Sequence, residues 1–286
     1  MHRPHSTAAA LAGALVVAAA ATPARAQNDG PQAENVFDGD YLTVGVGAGY
    51  SPSYEGSDDY VVFPLPLVQG NLRGVAITPR PGGIALDFIP DGRDAKLGFS
   101  LGPVARIRSD RARRIKDPVV KTLGELDTAV EVGANAGVTV YHLLSGYDSL
   151  TLSGDVRWDV AKAHKGMTVS PSLSYFTPLS RAAVINVSLG AEHADDDFAD
   201  YYFSVSPAGS AASGLPAFAA ERGWKSAGVT VVGGLDLDGD ATNGGLSVFA
   251  IGGYTRLLGD AKRTPLTRIR GDADQWLAGA GLAFTF

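Results

Sequence analysis

Residues 274–286 close the chain with the sequence DQWLAGAGLAFTF, and their side chains alternate between two kinds. The positions with the parity of the last residue are all apolar, with aromatic rings at both ends: Trp276, Ala278, Ala280, Leu282, Phe284 and Phe286. The other positions are smaller and more polar. A period of two with unlike faces predicts a β-strand. Aromatic residues near both ends suit a strand that crosses a bilayer between interfacial girdles, and an edge strand of a soluble sandwich is the alternative.

The last residue of this strand favours the membrane interpretation. The strand ends on Phe286, and a terminal strand of this kind resembles the sorting signal of bacterial outer-membrane proteins. We therefore expect Phe284 and Phe286 to form an assembly signal that the barrel assembly machinery reads.

Residues 1–26 have the pattern of a secretory signal peptide. His2 and Arg3 precede an apolar run at residues 8–21, which is too short to span a bilayer, and Ala24-Arg25-Ala26 supplies a small-residue cleavage site. We expect cleavage after Ala26 and delivery to the cell outer membrane. Its removal takes away two arginines and no acid, which leaves 22 basic against 30 acidic residues. This acidic balance excludes a nucleic-acid surface as the main function.

The remainder of the chain reads as one all-β domain. After the signal peptide no apolar run approaches the roughly 18 residues of a membrane helix, and the chain contains no cysteine that could staple it. The other fold that satisfies its backbone in lipid is a closed barrel. We predict a polar periplasmic lead-in at residues 27–40 and a single antiparallel transmembrane β-barrel of about 12 strands, within a range of 10–14, at residues 41–286.

The strands are read from the same alternation. It predicts them at residues 41–50, 60–69, 73–78, 83–89, 96–108, 127–141, 149–160, 167–177, 181–193, 223–237, 244–256 and 274–286. Pro64 and Pro66 fall inside the second strand, where they favour a strand end or a bulge because proline cannot donate to a ladder.

The lengths of the connections give a second signal. Links after even-numbered strands are short, at residues 70–72, 90–95, 142–148, 178–180 and 238–243. Links after odd-numbered strands include four long ones, at residues 51–59, 109–126, 194–222 and 257–273, and two brief ones, at residues 79–82 and 161–166. Short periplasmic turns and long outer loops are typical of outer-membrane barrels.

Motifs spread through the chain resemble the MipA/OmpV family. The residues that carry the likeness are Tyr50, Pro52, Tyr54, Gly56, Ser57, Asp58, Pro64, Pro66, Gly214, Pro216, Leu257, Gly259, Asp260 and Pro265. Each short motif is weak alone, but their order along the chain is specific. Thr264 stands where the family pattern has Ser, and Gly124-Glu125-Leu126-Asp127 differs slightly from the usual run.

The resemblance implies an outer-membrane protein that holds a lytic transglycosylase and a murein synthase together, as a non-catalytic scaffold for murein turnover. Other family members look like adhesins, porins or antigens. The residues themselves raise a difficulty for the scaffold role, because periplasmic enzymes would have to grip the side where the turns are shortest. A narrow channel and an adhesin or small-molecule-binding barrel therefore stay open as alternatives.

Charged residues on the inward strand faces are the candidate site. We predict a lumen charge cluster of Glu131, Asp155, Arg157, Asp159 and Glu192, with Arg106 and Arg108 at one strand end. Charges at membrane depth are tolerated where they face water or one another. They form either a salt-bridged plug or the lining of a narrow pore, and a barrel of this size favours the plug or a constriction.

Three further patterns have competing interpretations. Asp195-Asp196-Asp197 with Asp200 resembles a cation loop, although a solvated acidic loop is the better interpretation. Residues 236–240 read as a turn around Asp238-Gly239. The basic loop at residues 108–121 either binds lipopolysaccharide phosphates or is simply solvated.

The remaining functional class to consider is an enzyme. The mature chain offers His142, His164 and His193, without a Gly-x-Ser-x-Gly elbow, a metal-spaced His pair or a phosphate loop. We therefore expect no catalysis, cofactor or metal. The expected partners are outer-membrane lipid and lipopolysaccharide.

Overall fold

A computed structural model describes residues 35–92 and 95–286; the expected signal peptide, residues 1–26, lies outside them. Within the described residues, twelve antiparallel strands form a closed barrel in which each strand pairs with its neighbours in sequence and β12 pairs with β1. The strands are β1 Tyr41–Pro52, β2 Tyr60–Leu72, β3 Val75–Arg80, β4 Gly83–Asp87, β5 Leu97–Arg108, β6 Ala129–Tyr141, β7 Ser149–Asp159, β8 Met167–Pro178, β9 Ala183–Ala194, β10 Gly223–Asp236, β11 Gly245–Leu257 and β12 Asp274–Thr285. The prediction of an all-β barrel of about 12 strands is confirmed.

The predicted alternation of faces is also confirmed in β12 and β7. Trp276 and Leu282 of β12 are 58% and 52% exposed on the outside, whereas Gln275 is 8% exposed and faces inward. In β7, Asp155 and Arg157 are buried inside the barrel while Trp158 is exposed. Apolar outer faces around the wall provide the lipid-facing surface that a membrane barrel needs.

Loop length follows the predicted parity. The links after odd-numbered strands carry the helices, which are α1 Pro118–Lys121, α2 Asp196–Phe203, α3 Pro207–Ser213, α4 Gly259–Arg263 and α5 Pro265–Arg268. A 3-10 turn at Val36–Asp38 precedes β1, and its Val36 N–H donates to Thr242 O in the β10–β11 turn. Among the described residues, the chain has no helix with the length and apolar character needed for a membrane span.

The long outer loops fold into a cap, which we call the lid. Phe198, Tyr202 and Phe203 of α2 pack with Leu257 in one buried apolar cluster. A second cluster joins the β1–β2, β5–β6, β9–β10 and β11–β12 loops through Tyr54, Val120, Val205, Leu215 and Leu266. The loops therefore have an apolar core of their own above the barrel.

Strand β2 differs from its prediction. Pro64 and Pro66 were expected to end or bulge the strand, but β2 is continuous through both. It pairs with β1 over residues 60–71 and with β3 only over residues 70–72. A strand tolerates proline where the ring nitrogen faces an edge without a partner, and both prolines lie in the stretch that β3 does not pair.

Candidate functional site: an ion cluster beneath the lid

The centre of the candidate site is Glu131, which projects inward from β6 and has no exposed surface. Arg106 on β5 donates to its Oε2 from Nε and Nη2, at 3.0 and 2.7 Å. Arg108, two residues further along β5, donates from Nε to Oε1 at 2.7 Å. Alternation on one strand thus places both guanidinium groups on the same inward face as the carboxylate.

A second carboxylate bridges the same arginines. Glu192 of β9 accepts from Arg108 Nη2 at 2.5 Å and from Arg106 Nη2 at 3.2 Å. Lys225 Nζ of β10 lies 3.6 Å from Glu192 Oε1 and also contacts Glu55 of the β1–β2 loop. The pairs therefore extend from one wall of the barrel to the other and up to an outer loop.

A third carboxylate, Asp155 of β7, joins from below. Arg157 Nη1 donates to Asp155 Oδ2 at 2.8 Å, and Arg157 Nε lies 3.4 Å from Glu131 Oε2. Arg80, at the tip of the β3–β4 hairpin, reaches the same Asp155 oxygen from Nε at 3.1 Å. We call the whole set the lumen ion cluster; its members are Arg80, Arg106, Arg108, Arg157, Lys225, Glu55, Glu131, Asp155 and Glu192.

Every charge of the lumen ion cluster has an opposite partner within 4.0 Å. Taking a charge out of water is costly, and the cost is recovered only with close, hydrogen-bonded partners. Such a cluster is therefore sensitive to the loss of any one member, which would leave another buried charge uncompensated.

Aromatic side chains of α2 close the cluster from above. The guanidinium carbon of Arg108 lies 4.7 Å from the ring centre of Phe198 and 5.8 Å from that of Tyr202. His164, from the β7–β8 turn, packs edge-on against Phe198 at 4.9 Å and places Nε2 3.4 Å from Glu131 Oε1. Cation–π contacts of this kind are stronger where water is excluded, so the lid and the cluster stabilise each other.

The lid is held by polar contacts of its own. Arg270 donates to Asp117 Oδ2 from Nη2 and Nε, at 2.6 and 2.9 Å. Burial alone would raise the pKa of Asp117, but the bonds from Arg270 and from backbone N–H groups of α1 outweigh it and lower that pKa.

Asp110 accepts the Glu55 N–H at 2.7 Å. Burial and then the nearby Glu55 carboxylate raise the pKa of Asp110 to about 6.

The structure brings together four of the five residues predicted for the charge cluster. Glu131, Asp155, Arg157 and Glu192 meet in the lumen. The inclusion of Asp159 is corrected, because its carboxylate accepts the N–H groups of Ala161 and Lys165 and caps the β7–β8 turn. It forms no ion pair with any described residue. A carboxylate at the end of a strand is close to free backbone donors, which compete with a more distant guanidinium.

Sequence reasoning missed three members of the lumen ion cluster. Lys225 turns inward at an irregularity in the β9–β10 register between Trp224 and Ser226, which period-two alternation does not reveal. Glu55 comes from a loop, and Arg80 is the last residue of β3, two residues beyond the predicted end of that strand at residue 78, so the pattern assigned neither to a strand face. Glu55 lies between the family residues Tyr54 and Gly56, and this position was the one available signal.

Most of the family-motif residues lie in the lid and its junctions with the strands, where they have structural roles. Gly56, with a positive φ of 96°, donates to Gln275 Oε1 at 3.1 Å and accepts from Asp272, which ties the first loop to the last. Gly214 caps α3 in the left-handed region, and Asp260 accepts the Glu221 N–H. The remaining motif residues lie at these places: Tyr50 and Pro52 in β1, Tyr54, Ser57 and Asp58 in the loop after it, Pro64 and Pro66 in β2, Pro216 after α3, Leu257 at the end of β11, Gly259 at the start of α4, and Pro265 at the start of α5.

The other candidate motifs have structural roles. Asp195 caps α2 by accepting the Phe198 N–H, and Asp236 accepts three backbone N–H groups of the expected turn around Asp238-Gly239. In the described ranges, no three His, Asp or Glu side chains are placed to hold a metal ion.

The three histidines within the described residues have contacts other than those of a catalytic base. His142 Nδ1 contacts Gly146 O, His164 Nδ1 accepts from Gly166 N, and His193 packs against Trp224. None of these described histidines has a serine hydroxyl among its hydrogen-bond partners, which is the geometry that nucleophilic catalysis requires.

A closed twelve-stranded antiparallel barrel with apolar residues outside, charges inside and folded loops at one rim is the architecture of a bacterial outer-membrane β-barrel protein. The family model described as MltA-interacting protein MipA matches residues 44–286. The chain belongs to this family.

Among solved structures, the chain is similar to an outer-membrane channel from Pseudomonas putida F1. The two are 13% identical, the match covers 91% of this chain and 100% of that one, and the TM-score is 0.47. A FadL homologue from Pseudomonas aeruginosa is 11% identical, with 86% and 88% of the two chains covered and a TM-score of 0.27. A search of curated proteins finds no match.

Proposed function

We propose that this protein is a non-catalytic scaffold whose barrel is closed to bulk flow and anchors a periplasmic murein-remodelling enzyme at the outer membrane. The observation that carries the proposal is the lumen ion cluster beneath the lid. Paired charges span the lumen beneath the lid, and the loops above them pack as a folded unit. Because the lumen of such a barrel is closed, its rims are the surfaces available for binding a partner.

The enzyme-binding rim is the periplasmic one, and the β6–β7 turn is the best candidate there. Leu144 and Tyr147 of this turn are each 80% exposed. Asp148 holds the turn in place by accepting the N–H groups of Leu144 and Ser145 and the hydroxyl of Tyr175. An ordered turn that presents apolar side chains supplies a protein contact without a long loop, which answers the difficulty that short turns raise for a scaffold.

The family name supports the choice of partner, since it denotes interaction with MltA. The proposed ligand is therefore a membrane-bound lytic transglycosylase, with a murein synthase recruited through the same assembly. Catalysis belongs to these partners in this scheme.

The test combines capture with conductance. Purified protein should retain the lytic transglycosylase on a column, and the Leu144→Asp/Tyr147→Asp double variant should lose most of that retention. Leu237→Asp is the matched control, because Leu237 is also exposed but follows β10 on a different turn. In planar bilayers the wild-type protein should show no large, stable conductance. Such a conductance would replace the scaffold with a channel, and equal retention by all variants would remove the β6–β7 turn from the proposal.

A further inference from the structure

Strand β2 has an edge that no neighbouring strand covers. It pairs with β3 only over residues 70–72, and no described strand pairs with residues 60–69 on that side. A sheet edge within the hydrocarbon layer leaves backbone groups without partners, which lipid does not tolerate unless protein or a cavity satisfies them. The barrel wall is therefore incomplete between β2 and the β3–β4 hairpin.

The prolines of β2 face this edge. Tyr60 and Val62 direct their carbonyl oxygens away from β1, because they accept side-chain bonds from Lys116 and Arg114 of the β5–β6 loop. Backbone groups alternate along a strand, so Pro64 and Pro66 point the same way. Each lacks an N–H, which removes two donors that would otherwise be unpaired.

The opposite border of the gap follows the same rule. Ile77 of β3 pairs with Gly70, so Pro79, two residues further along, directs its nitrogen toward the gap. Its carbonyl oxygen accepts from Arg80 Nη1 at 3.2 Å. Prolines on both borders prevent the two edges from joining into a ladder, so the gap is a built feature of the wall.

The gap lies at the depth of the apolar belt. Pro64 pairs with Ala48, and Ala48 pairs with Ala280 of β12. Ala280 is midway between Trp276 and Phe284, the aromatic residues near the two ends of that strand. The upper end of the gap is crossed by Arg114 and Lys116, which bond to the β2 carbonyls at 2.6 and 2.5 Å.

Behind the gap the inner wall is apolar. Phe63, Leu65 and Leu67 point inward from β2 and are only partly buried. The ring of Phe63 occupies the space that a side chain at Gly49 would need, and the ring of Phe249 from β11 lies in the same way over Gly281. The opposite side of the lumen carries the paired charges and has no comparable apolar surface.

We propose that the gap is a lateral port through which one acyl chain of an anionic outer-leaflet lipid enters the barrel and lies along Phe63, Leu65 and Leu67. The apolar wall suits the chain, because burial of its methylene groups is favourable. The cations at the upper end of the gap, Arg114 and Lys116, suit a phosphate head at the membrane surface. The port is independent of the scaffold function and of the periplasmic rim.

The test uses a photoreactive lipid and the whole mature protein. Nanodiscs are prepared with phosphatidylglycerol that carries a diazirine in a 16-carbon chain, and the cross-linked residues are identified by mass spectrometry after irradiation. A chain inside the port labels Phe63, Leu65 or Leu67, which face inward. Labelling confined to outward residues of β2, such as Val62 and Val68, overturns the proposal, because annular lipid alone produces that pattern.

A matched pair of variants tests the wall. Leu65→Asp should reduce inner-wall labelling about tenfold, since loss of one buried leucine contact weakens apolar binding by roughly that factor. Ser174→Asp places the same charge on the inward face of β8, six strands away across the barrel, and should leave the labelling unchanged. Equal effects of the two variants would overturn the assignment of the apolar wall.

The head group is tested on the wild-type protein alone, so no variant has to fold. Phosphatidylcholine with the same diazirine chain carries no net charge and should label the inner wall several-fold less than phosphatidylglycerol. Equal inner-wall labelling by the two lipids would overturn the preference for an anionic head.

Discussion

Arg106 and Glu131 are direct cross-strand partners on β5 and β6, and two hydrogen bonds from one guanidinium reach one carboxylate oxygen. Arg157 is on the adjacent strand β7 but is not opposite Glu131, and its Nε lies 3.4 Å from the carboxylate. The nearest pair therefore comes from the strand on the other side of β6, which makes Arg106 the residue to change.

Glu131→Gln should destabilise the barrel by about 3–5 kcal/mol, because it leaves the buried arginines without their main counter-charge. The double variant Glu131→Gln/Arg106→Gln should unfold less readily than the single one, since it removes a charge of each sign. The temperature at which the compact form disappears in a heat-modifiability gel measures both. Arg181→Gln, which breaks an exposed pair with Asp240, is the control and should change little. A double variant that loses its compact form at a lower temperature than Glu131→Gln would contradict the paired-charge interpretation.

The barrel could be predicted from the sequence because a strand between lipid and lumen must alternate at every residue. In β6 and β7 the predicted bounds, residues 127–141 and 149–160, differ from the observed strands by at most two residues at each end. For the same reason, the sequence also predicted which face of each strand points to the lumen and which to the lipid. Glu131 and Arg157 could be assigned to the lumen without knowledge of their partners.

The lid and the full ion cluster could not be predicted. Lys225 enters the lumen where the register of β10 shifts, and Glu55 descends from a loop whose position depends on contacts with distant loops. Period-two patterns carry no information about either. The edge of β2 was misread for a related reason: a proline in a strand signals a missing hydrogen bond but does not say which neighbour is absent.

Charge on the lipid face gives a prediction about orientation. Val156 of β7 points outward, so Val156→Arg should cost about 2–4 kcal/mol near the bilayer midplane. Ser153→Arg, on the inward face of the same strand, should cost less because its side chain reaches the lumen. Urea unfolding in liposomes measures the two free energies. A larger cost for Ser153→Arg would show that the register of β7 is off by one residue.

The terminal Phe286 gives a prediction about assembly. Its ring packs on that of Phe284 at 4.7 Å and is 68% exposed. We propose that the barrel assembly machinery reads this exposed ring, so deletion of Phe286 should lower the amount of folded protein in the outer membrane. Refolding of the purified deletion variant from urea, without the machinery, should remain near normal. Unchanged folded yield in cells would contradict the proposed signal.

Replacement of a proline within a strand usually restores a ladder hydrogen bond and stabilises the strand. The unpaired edge of β2 predicts the opposite result at Pro66. Pro66→Val adds an N–H that faces the gap, and an unpaired buried donor costs about 1–3 kcal/mol. Pro171→Val in β8 is the matched control, because Pro171 points toward β9, whose Gly190 pairs with the next residue, Ser172. The added N–H can bond there, so this variant should be neutral or stabilising. Thermal unfolding of both compares them directly, and a stabilised Pro66→Val would show that the wall is sealed.

The lid should become more stable as the pH falls from 7.5 to 5, through Asp110. Burial and the Glu55 carboxylate raise its pKa to about 6 in the folded protein, above the value of about 3.9 expected for an unfolded chain. The folded loop therefore binds a proton more tightly, and protonation below about pH 6 stabilises it.

Asp110→Asn isolates this effect, because the amide oxygen can still accept the Glu55 N–H while the charge is absent. The variant should have a higher unfolding midpoint than wild type at pH 7.5, and the difference should be nearly as large at pH 6 and fall to about half at pH 5, since the titration runs from the folded to the unfolded pKa. Asp117 has a lowered pKa, so its contribution is lost only as the pH falls below about 4, outside this window. Subtracting the variant from wild type at each pH also removes the contributions of other titrating groups. A difference that is constant from pH 5 to 7.5 would show that Asp110 keeps its charge throughout and that burial beneath the lid does not control it.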